Sequence, residues 1–375
     1  MACPDQLLHE LIALPSVNPA FLPDNHPHSG EQRVAAHLAE FLREGGLDVH
    51  LQRVSPGRSN LLARLSPPRR PRRRVWLVPH LDTVNACDEQ FLPRKVNGRL
   101  FGRGACDTKG SVASMACAIH VLANSPRRPS ETEITFAGVV DEEHFQAGSR
   151  FLAASGIKGD LAIIGEPTSL RVVTAHKGSL WLRYETRGRA AHGARPELGR
   201  NAVHEMAQIV NVLEGPYATL LRKRRHPLLG PATVNVGMIQ GGTQPNIVPD
   251  RCWIEVDRRT LPGETEAGVK REISTLLRRE GLAAFSSLSK TAPCWPMETD
   301  PTDLMVALFL RTLGQSQPAG VDYFCDAAIL SRAGIPSVVF GPGDIAYAHT
   351  TNEWIPLKEV TRATDLLLRF LQALP

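Results

Sequence analysis

Residues 75–84 read V-W-L-V-P-H-L-D-T-V, and no other stretch constrains the fold as much. Val75–Val78 is an apolar run of the kind that forms a buried strand, and it ends by presenting His80 and Asp82. On an extended backbone, residues i and i+2 point to one side, so both side chains can face a single point. The aspartate can then accept a hydrogen bond from one imidazole nitrogen, which is how a metal-binding histidine is usually oriented. A histidine at a strand end is more often a hydrogen-bonded surface residue, so the pair gains meaning only if other strands deliver ligands to the same place.

Three further runs have that form. Glu133–Val140 is apolar and β-branched and ends in Asp141-Glu142-Glu143-His144; adjacent carboxylates at a buried strand end repel unless a cation compensates them. Leu161–Gly165 delivers Glu166, and Pro167 stops further pairing. Pro336–Phe340 is followed by a loop carrying His349. Between the Val75 strand and Glu133, G-R-G-A-C-D-T-K-G (102–110) opens a helix whose apolar positions Val112, Met115, Ala116, Ile119 and Leu122 keep the 3.6 period. Asp107 stands just before it, where an aspartate ordinarily caps a helix. Neither G-x-G-x-x-G nor G-x-x-x-x-G-K-S/T occurs, which removes a nucleotide- or NAD-binding reading.

Buried strands alternating with helices imply an α/β catalytic domain: a mostly parallel sheet covered on both faces, with ligands gathering at the carboxyl ends of its strands. Flanking segments fit: helices over Asp5–Leu14, Glu31–Gly45 and Leu357–Leu374, and strands over Val49–Val54 and Asn60–Leu65. From Lys177 the rhythm changes to β-α-β-β-α-β, the order of a ferredoxin-like α+β unit. We expect residues 1–176 and 291–375 to form the catalytic domain, with 177–290 inserted as a lid or dimerisation domain.

Composition is that of a globular protein, 42% hydrophobic and 22% charged over 375 residues. The formal charge of +5 is too small to imply nucleic acid, and the basic clusters at 69–74 and 222–225 have no aromatic neighbours on which bases could stack, so they read as solvated loops. Seven scattered cysteines without a C-x-x-C pair suggest a reducing compartment. With no apolar run of about 18 residues and no leader-like N-terminus, a cytoplasmic protein without membrane contact is expected.

Two histidines and several carboxylates, without a thiolate, suit zinc, with manganese or cobalt able to substitute. The donors exceed the needs of one tetrahedral ion, which favours a two-metal site bridged by a carboxylate, with one carboxylate left as general base. P-H-L-D-T-V, G-R-G-A-C-D-T-K-G, D-E-E, I-G-E-P-T and A-H-T-T-N-E-W, in this order, resemble the zinc-dependent aminoacylase/carboxypeptidase family. Within it, the chain is most similar to the acetylornithine deacetylase and succinyl-diaminopimelate desuccinylase group, over essentially its whole length.

The resemblance implies two Zn²⁺ per subunit, with His80 and Glu166 on one, Glu143 and His349 on the other, and Asp107 bridging. Glu142 is then the general base and Asp82 the residue that orients His80; a cis peptide after Asp107 is also implied. In R-G-R-A-A-H-G-A-R-P, His192 matches a histidine that reaches the partner subunit's site to stabilise the oxyanion, which implies a homodimer. Asn246 in T-Q-P-N-I-V-P and Arg259 in D-R-R-T-L-P-G-E match substrate-binding positions, Arg258 being a competing choice. Two residues depart from the family pattern: Pro79, where a small residue is commoner, and Cys325, where threonine or serine is common and which we read as lining the pocket. The expected activity is cleavage of the amide of an N-acyl amino acid. The alternatives are a dipeptidase or carboxypeptidase of the same family acting on short peptides, and, more remotely, a non-catalytic binding protein on this scaffold.

Overall fold

The computed structural model describes residues 3–289 and 292–375. They divide into two compact units: residues 1–174, 299–319 and 325–375, and residues 175–298 and 320–324. The seam expected at 290/291 lies outside the described residues.

The first unit is built on a twisted sheet whose four middle strands, Thr132–Gly138, Arg73–Pro79, Leu161–Gly165 and Ser337–Val339, run parallel in that spatial order. Asp48–Ser55 and Arg58–Leu65 extend one side antiparallel, and Val173 pairs antiparallel with Val339 on the other. The middle strands are mostly apolar along their buried stretches because both faces are covered. Val75, Trp76, Leu77 and Val78 are all buried, as is every residue of Leu161–Gly165. One core joins helices Pro4–Ile12, Gln32–Glu44, Gly110–Ala123, Leu304–Thr312 and Leu357–Gln372 to the sheet. The short helices Ala147–Ala154 and Ala327–Arg332 pack on each other, the latter also against the Leu161–Gly165 and Ser337–Val339 strands. Helix Gly110–Ala123 is buried almost all round, so its periodicity marks packing against neighbours rather than a boundary with water.

Register delivers the functional residues. Pro79 pairs with Gly165, so His80 and Glu166 leave neighbouring strands at the same level. The Pro79 carbonyl accepts the Val139 N–H at 3.0 Å and His80 bridges Val139, bringing the D-E-E turn alongside.

In the second unit, strands Thr233–Gly241, Arg251–Thr260, Gly178–Arg187 and Phe285–Leu288 form a fully antiparallel sheet in that order. That is the ferredoxin-like arrangement. Alternate residues of Arg251–Thr260 are buried and pack Ile254 and Val256 into one core with helices Ala202–Val212 and Glu266–Arg279, as a half-covered sheet requires. The first of these helices runs on through a wide turn at Leu213–Tyr217 into Ala218–Arg222. No helix among the described residues is long and apolar enough to cross a membrane.

Candidate metal centre

His80 is 2% exposed. Its Nε2 lies 3.1 Å from Asp107 Oδ1 and 3.9 Å from Glu166 Oε1. Its Nδ1 is 2.9 Å from the backbone carbonyl of Asp82 and 3.5 Å from that residue's carboxylate. The carbonyl, not the carboxylate, is therefore the nearer acceptor. The Asp82 carboxylate has a second task that its sequence position did not reveal: it accepts the backbone N–H groups of Glu142 (3.0 Å) and Glu143 (3.1 Å), and so holds the D-E-E turn against the His80 strand.

Asp107 does not cap the helix that follows it. Lys109 is the residue before that helix, and no side chain caps it. Instead the Asp107 carboxylate spans two imidazoles: Oδ1 faces His80 at 3.1 Å and Oδ2 faces His349 Nε2 at 3.2 Å. The Asp107–Thr108 peptide is cis. The loop carrying Asp107 hangs on Glu353, whose carboxylate accepts the backbone N–H groups of Gly104, Cys106 and Asp107 at 2.9–3.1 Å and an Arg103 guanidinium N–H at 2.6 Å. Glu353 lay within a quoted motif, but sequence reasoning gave it no role; a glutamate in a polar loop carries no mark of the amides it will meet.

His349 Nε2 also lies 3.2 Å from Glu143, and its backbone φ of 61° places it in the left-handed region that non-glycine residues rarely occupy. Glu142 falls in one group with His80 and Glu166, and Glu143 in another with His80 and Asp107; within each group the donor atoms lie within 4.8 Å of one another. Bonds of about 2.1 Å from a tetrahedral zinc set its donors roughly 3.4 Å apart. Separations of 3.1–3.9 Å between the imidazole nitrogens and carboxylate oxygens fit that requirement.

The electrostatics fit it as well. Burial, then the charge of Glu166, pushes the Glu142 carboxyl well above its usual range. Burial does the same for Glu166, and burial with the charge of Asp107 raises Glu143. Hydrogen bonds to Asp107 and Glu143 raise His349 to about 10. Burial opposes ionisation of Asp107, but hydrogen bonds to His349 and His80 outweigh it and hold that carboxyl low. Buried carboxylates whose protons are held by burial and by one another's charge, set beside two imidazoles, make a place a cation would suit.

Cys325 is buried, and burial with the charge of Glu166 drives its thiol well above the usual range, so it offers no thiolate. The basic stretch at 69–74 is paired to acids, Arg72 with Glu131, Arg73 with Asp160 and Arg74 with Glu133, and Arg224 pairs with Glu272. His192, Asn246 and Arg259 belong to the second unit. There His192 and Asn246 are both exposed, and the Gly193 N–H donates to the Asn246 carbonyl at 2.7 Å. Arg258 is fully buried on Tyr217 and Glu264, whereas Arg259 is partly exposed beside Asp257. Of the two arginines, Arg259 is the one a solute can reach.

A family model of the peptidase dimerisation domain matches residues 174–284, and one of peptidase family M28 matches residues 60–165. The acetylornithine deacetylase of Myxococcus xanthus is 32% identical over 346 residues, 89% of this chain and 87% of that one. The chain belongs to the M20 peptidase family. An acetylornithine deacetylase from Proteus mirabilis is 29% identical over 96% of this chain and 94% of its own. Among solved structures, the aminopeptidase PepT of Bacillus cereus superposes with a TM-score of 0.78 at 23% identity, covering 99% of this chain and 97% of that one. An M20 metallo-carboxypeptidase from Sulfolobus solfataricus gives 0.77 at 19%, with 99% of each chain covered. A dinuclear metal binding M20 peptidase from Bacillus subtilis gives 0.72 at 15%, with 98% and 96% covered. This M20 chain is a metal-dependent hydrolase of amide bonds.

Proposed function

We propose that the chain is a two-zinc deacylase that hydrolyses the amide of an N-acyl amino acid, as the acetylornithine deacetylases do by name. One observation carries the reading: Asp107 turns one carboxylate oxygen to each of two imidazoles, the disposition of a ligand shared between two ions. His80 and Glu166 hold one ion, Glu143 and His349 the other, and cobalt or manganese can substitute. When bound, the ions acidify a water and polarise the scissile carbonyl.

Glu142 is the general base. Among the described residues no hydrogen bond engages its carboxylate, it is more exposed than Glu166, and its raised pKa suits a group that takes a proton and returns it to the leaving amine. Asp82 orients His80 and the turn that carries Glu142. Arg259, with its planar fork, clamps the substrate's carboxylate, and Asn246 contributes a further polar contact. Residues 177–290 form a lid and dimerisation domain, and His192 stabilises the oxyanion in the partner subunit's site. The enzyme works in the cytoplasm on small molecules.

The test is hydrolysis of N-acetyl-ornithine by metal-stripped protein, with and without added Zn²⁺ or Co²⁺, beside Glu142→Ala. Activity should return with metal, and the variant should bind metal yet lose about 10²–10⁴-fold in kcat. Turnover of dipeptides in place of N-acetyl-ornithine and N-succinyl-diaminopimelate would replace the deacylase by a dipeptidase. Absence of metal binding would remove the reading altogether.

A further inference from the structure

Asn18 lies in the P-S-V-N-P segment, 64 positions before Asp82 and 123 before Asp141. It is 0% exposed. Its side-chain amide nitrogen donates to Asp82 Oδ2 at 2.7 Å and to Asp141 Oδ1 at 3.0 Å. Its side-chain oxygen accepts the Ala20 N–H at 3.1 Å, and its own backbone N–H donates to Thr83 at 2.9 Å. Both amide hydrogens are committed, each to a buried carboxylate.

Those carboxylates hold the two halves of the proposed centre. Asp82 lies two residues beyond His80 and accepts the Glu142 and Glu143 N–H groups. Asp141, with φ of 71°, begins the turn that presents both glutamates, and its other oxygen accepts the Ala147 N–H at 3.3 Å. Two anions can share one neutral amide here because Arg58, itself paired with Glu31, donates to Asp141 at 2.8 Å. Buried carboxylates deprived of such donors bear a desolvation cost that normally moves them apart or protonates them.

We infer that Asn18 is a positioning residue for the hydrolysis: by clamping Asp82 to Asp141 it sets the D-E-E turn, and so Glu142 and Glu143, against the His80 strand. This rests on the functional reading above only for the use to which the turn is put. The clamp acts through Asp82 and Asp141 and touches no substrate. Aspartate in its place would keep the shape and the contact to Ala20 but set a third acceptor between two carboxylates. Alanine would remove all three side-chain bonds.

The test compares Asn18→Asp, Asn18→Ala and the unaltered full chain, all first stripped of metal. Amide hydrogen exchange should rise at least ten-fold over residues 139–147 in both variants, and stay unchanged in the Leu161–Gly165 strand. Zn²⁺ affinity measured by calorimetry should fall about ten-fold or more, and kcat should fall more than KM rises. Exchange over 139–147 equal to that of the unaltered chain, in either variant, would overturn the inference. So would unaltered Zn²⁺ affinity with only a lower melting temperature, which would make Asn18 a turn cap. The exchange measurement needs neither metal nor substrate, so it decides the clamp even if the deacylase reading fails.

Discussion

Glu353 does for Asp107 what Asp82 does for Glu142 and Glu143: a buried carboxylate gathers the backbone N–H groups of a loop and fixes the side chain that loop presents. Replacing it by glutamine leaves Arg103, 3% exposed, without its counter-charge. Breaking one partner of a buried ion pair costs about 3–5 kcal/mol. Glu353→Gln is therefore expected to lower unfolding free energy by at least about 3 kcal/mol in urea titrations, and to weaken metal binding. Retained stability with full metal affinity would mean the loop holds itself. Neither Glu353 nor Asn18 was legible in the sequence; His80, Glu143, Glu166 and His349 were picked out at or beyond strand ends, whereas Asp107 read as a helix cap and joined them only through the family resemblance. A histidine or carboxylate at a strand end announces itself by its type and place; one that accepts amides from 247 positions away does not.

At the scale of elements, the site follows from parallel strands that end level. Such an arrangement tolerates little added volume where loops cross behind the ends. Gly341 follows the Ser337–Val339 strand by two residues, and a Cβ there would sit 2.5 Å from the Glu166 carbonyl and against Ser111 Oγ. Gly341→Ala should cost about 1–3 kcal/mol as an overpacked site and displace Glu166, with a lower melting temperature and weaker metal binding. Gly215→Ala, in the helical turn Leu213–Tyr217 and with no neighbouring group for its added Cβ to meet, serves as a clash-free control that should leave metal binding unchanged and not lower the melting temperature. The apolar runs located the middle strands to within two or three residues. The edge strands were placed too, over Val49–Val54 and Asn60–Leu65, though not their antiparallel sense; what the sequence did not disclose is the small three-stranded sheet joining Trp354–Pro356 to Arg99–Phe101 and Arg94–Val96. These strands are short and partly exposed, without the apolar pattern that marks a buried strand.

For the whole molecule, protons and metal compete. Glu142, Glu143 and Glu166 are raised above the carboxylate range, and His349 is raised to about 10. As the proposed ligands, Glu143, Glu166 and His349 would each have to shed a proton to hold a cation, so metal binding should release protons and tighten as pH rises towards about 10. Calorimetry in buffers of different ionisation enthalpy measures that release; identical heats in all buffers would contradict it. In the metal-free protein the raised His349 stabilises the fold fully below its ordinary 6.5, and that contribution fades as pH rises through about 10. A second prediction concerns assembly. If His192 serves the partner subunit's site, Glu142→Ala and His192→Ala chains, each inactive alone, should regain activity when mixed and allowed to exchange. In the hybrid dimer one site has an intact Glu142 and an intact His192. No recovery on mixing would confine His192 to its own subunit.

The sequence by itself determined the α/β class, the ferredoxin-like insertion, and the residues that meet at the strand ends, because burial periodicity and residue type are local properties. Tertiary structure alone decided how that cluster is held. Asp82 turns its carboxylate to the D-E-E amides, Glu353 carries the Asp107 loop, Asn18 joins Asp82 to Asp141, and Arg258 is buried while Arg259 is not. Each of these depends on which distant backbone or side-chain groups come within about 3 Å, and a linear pattern does not contain that distance.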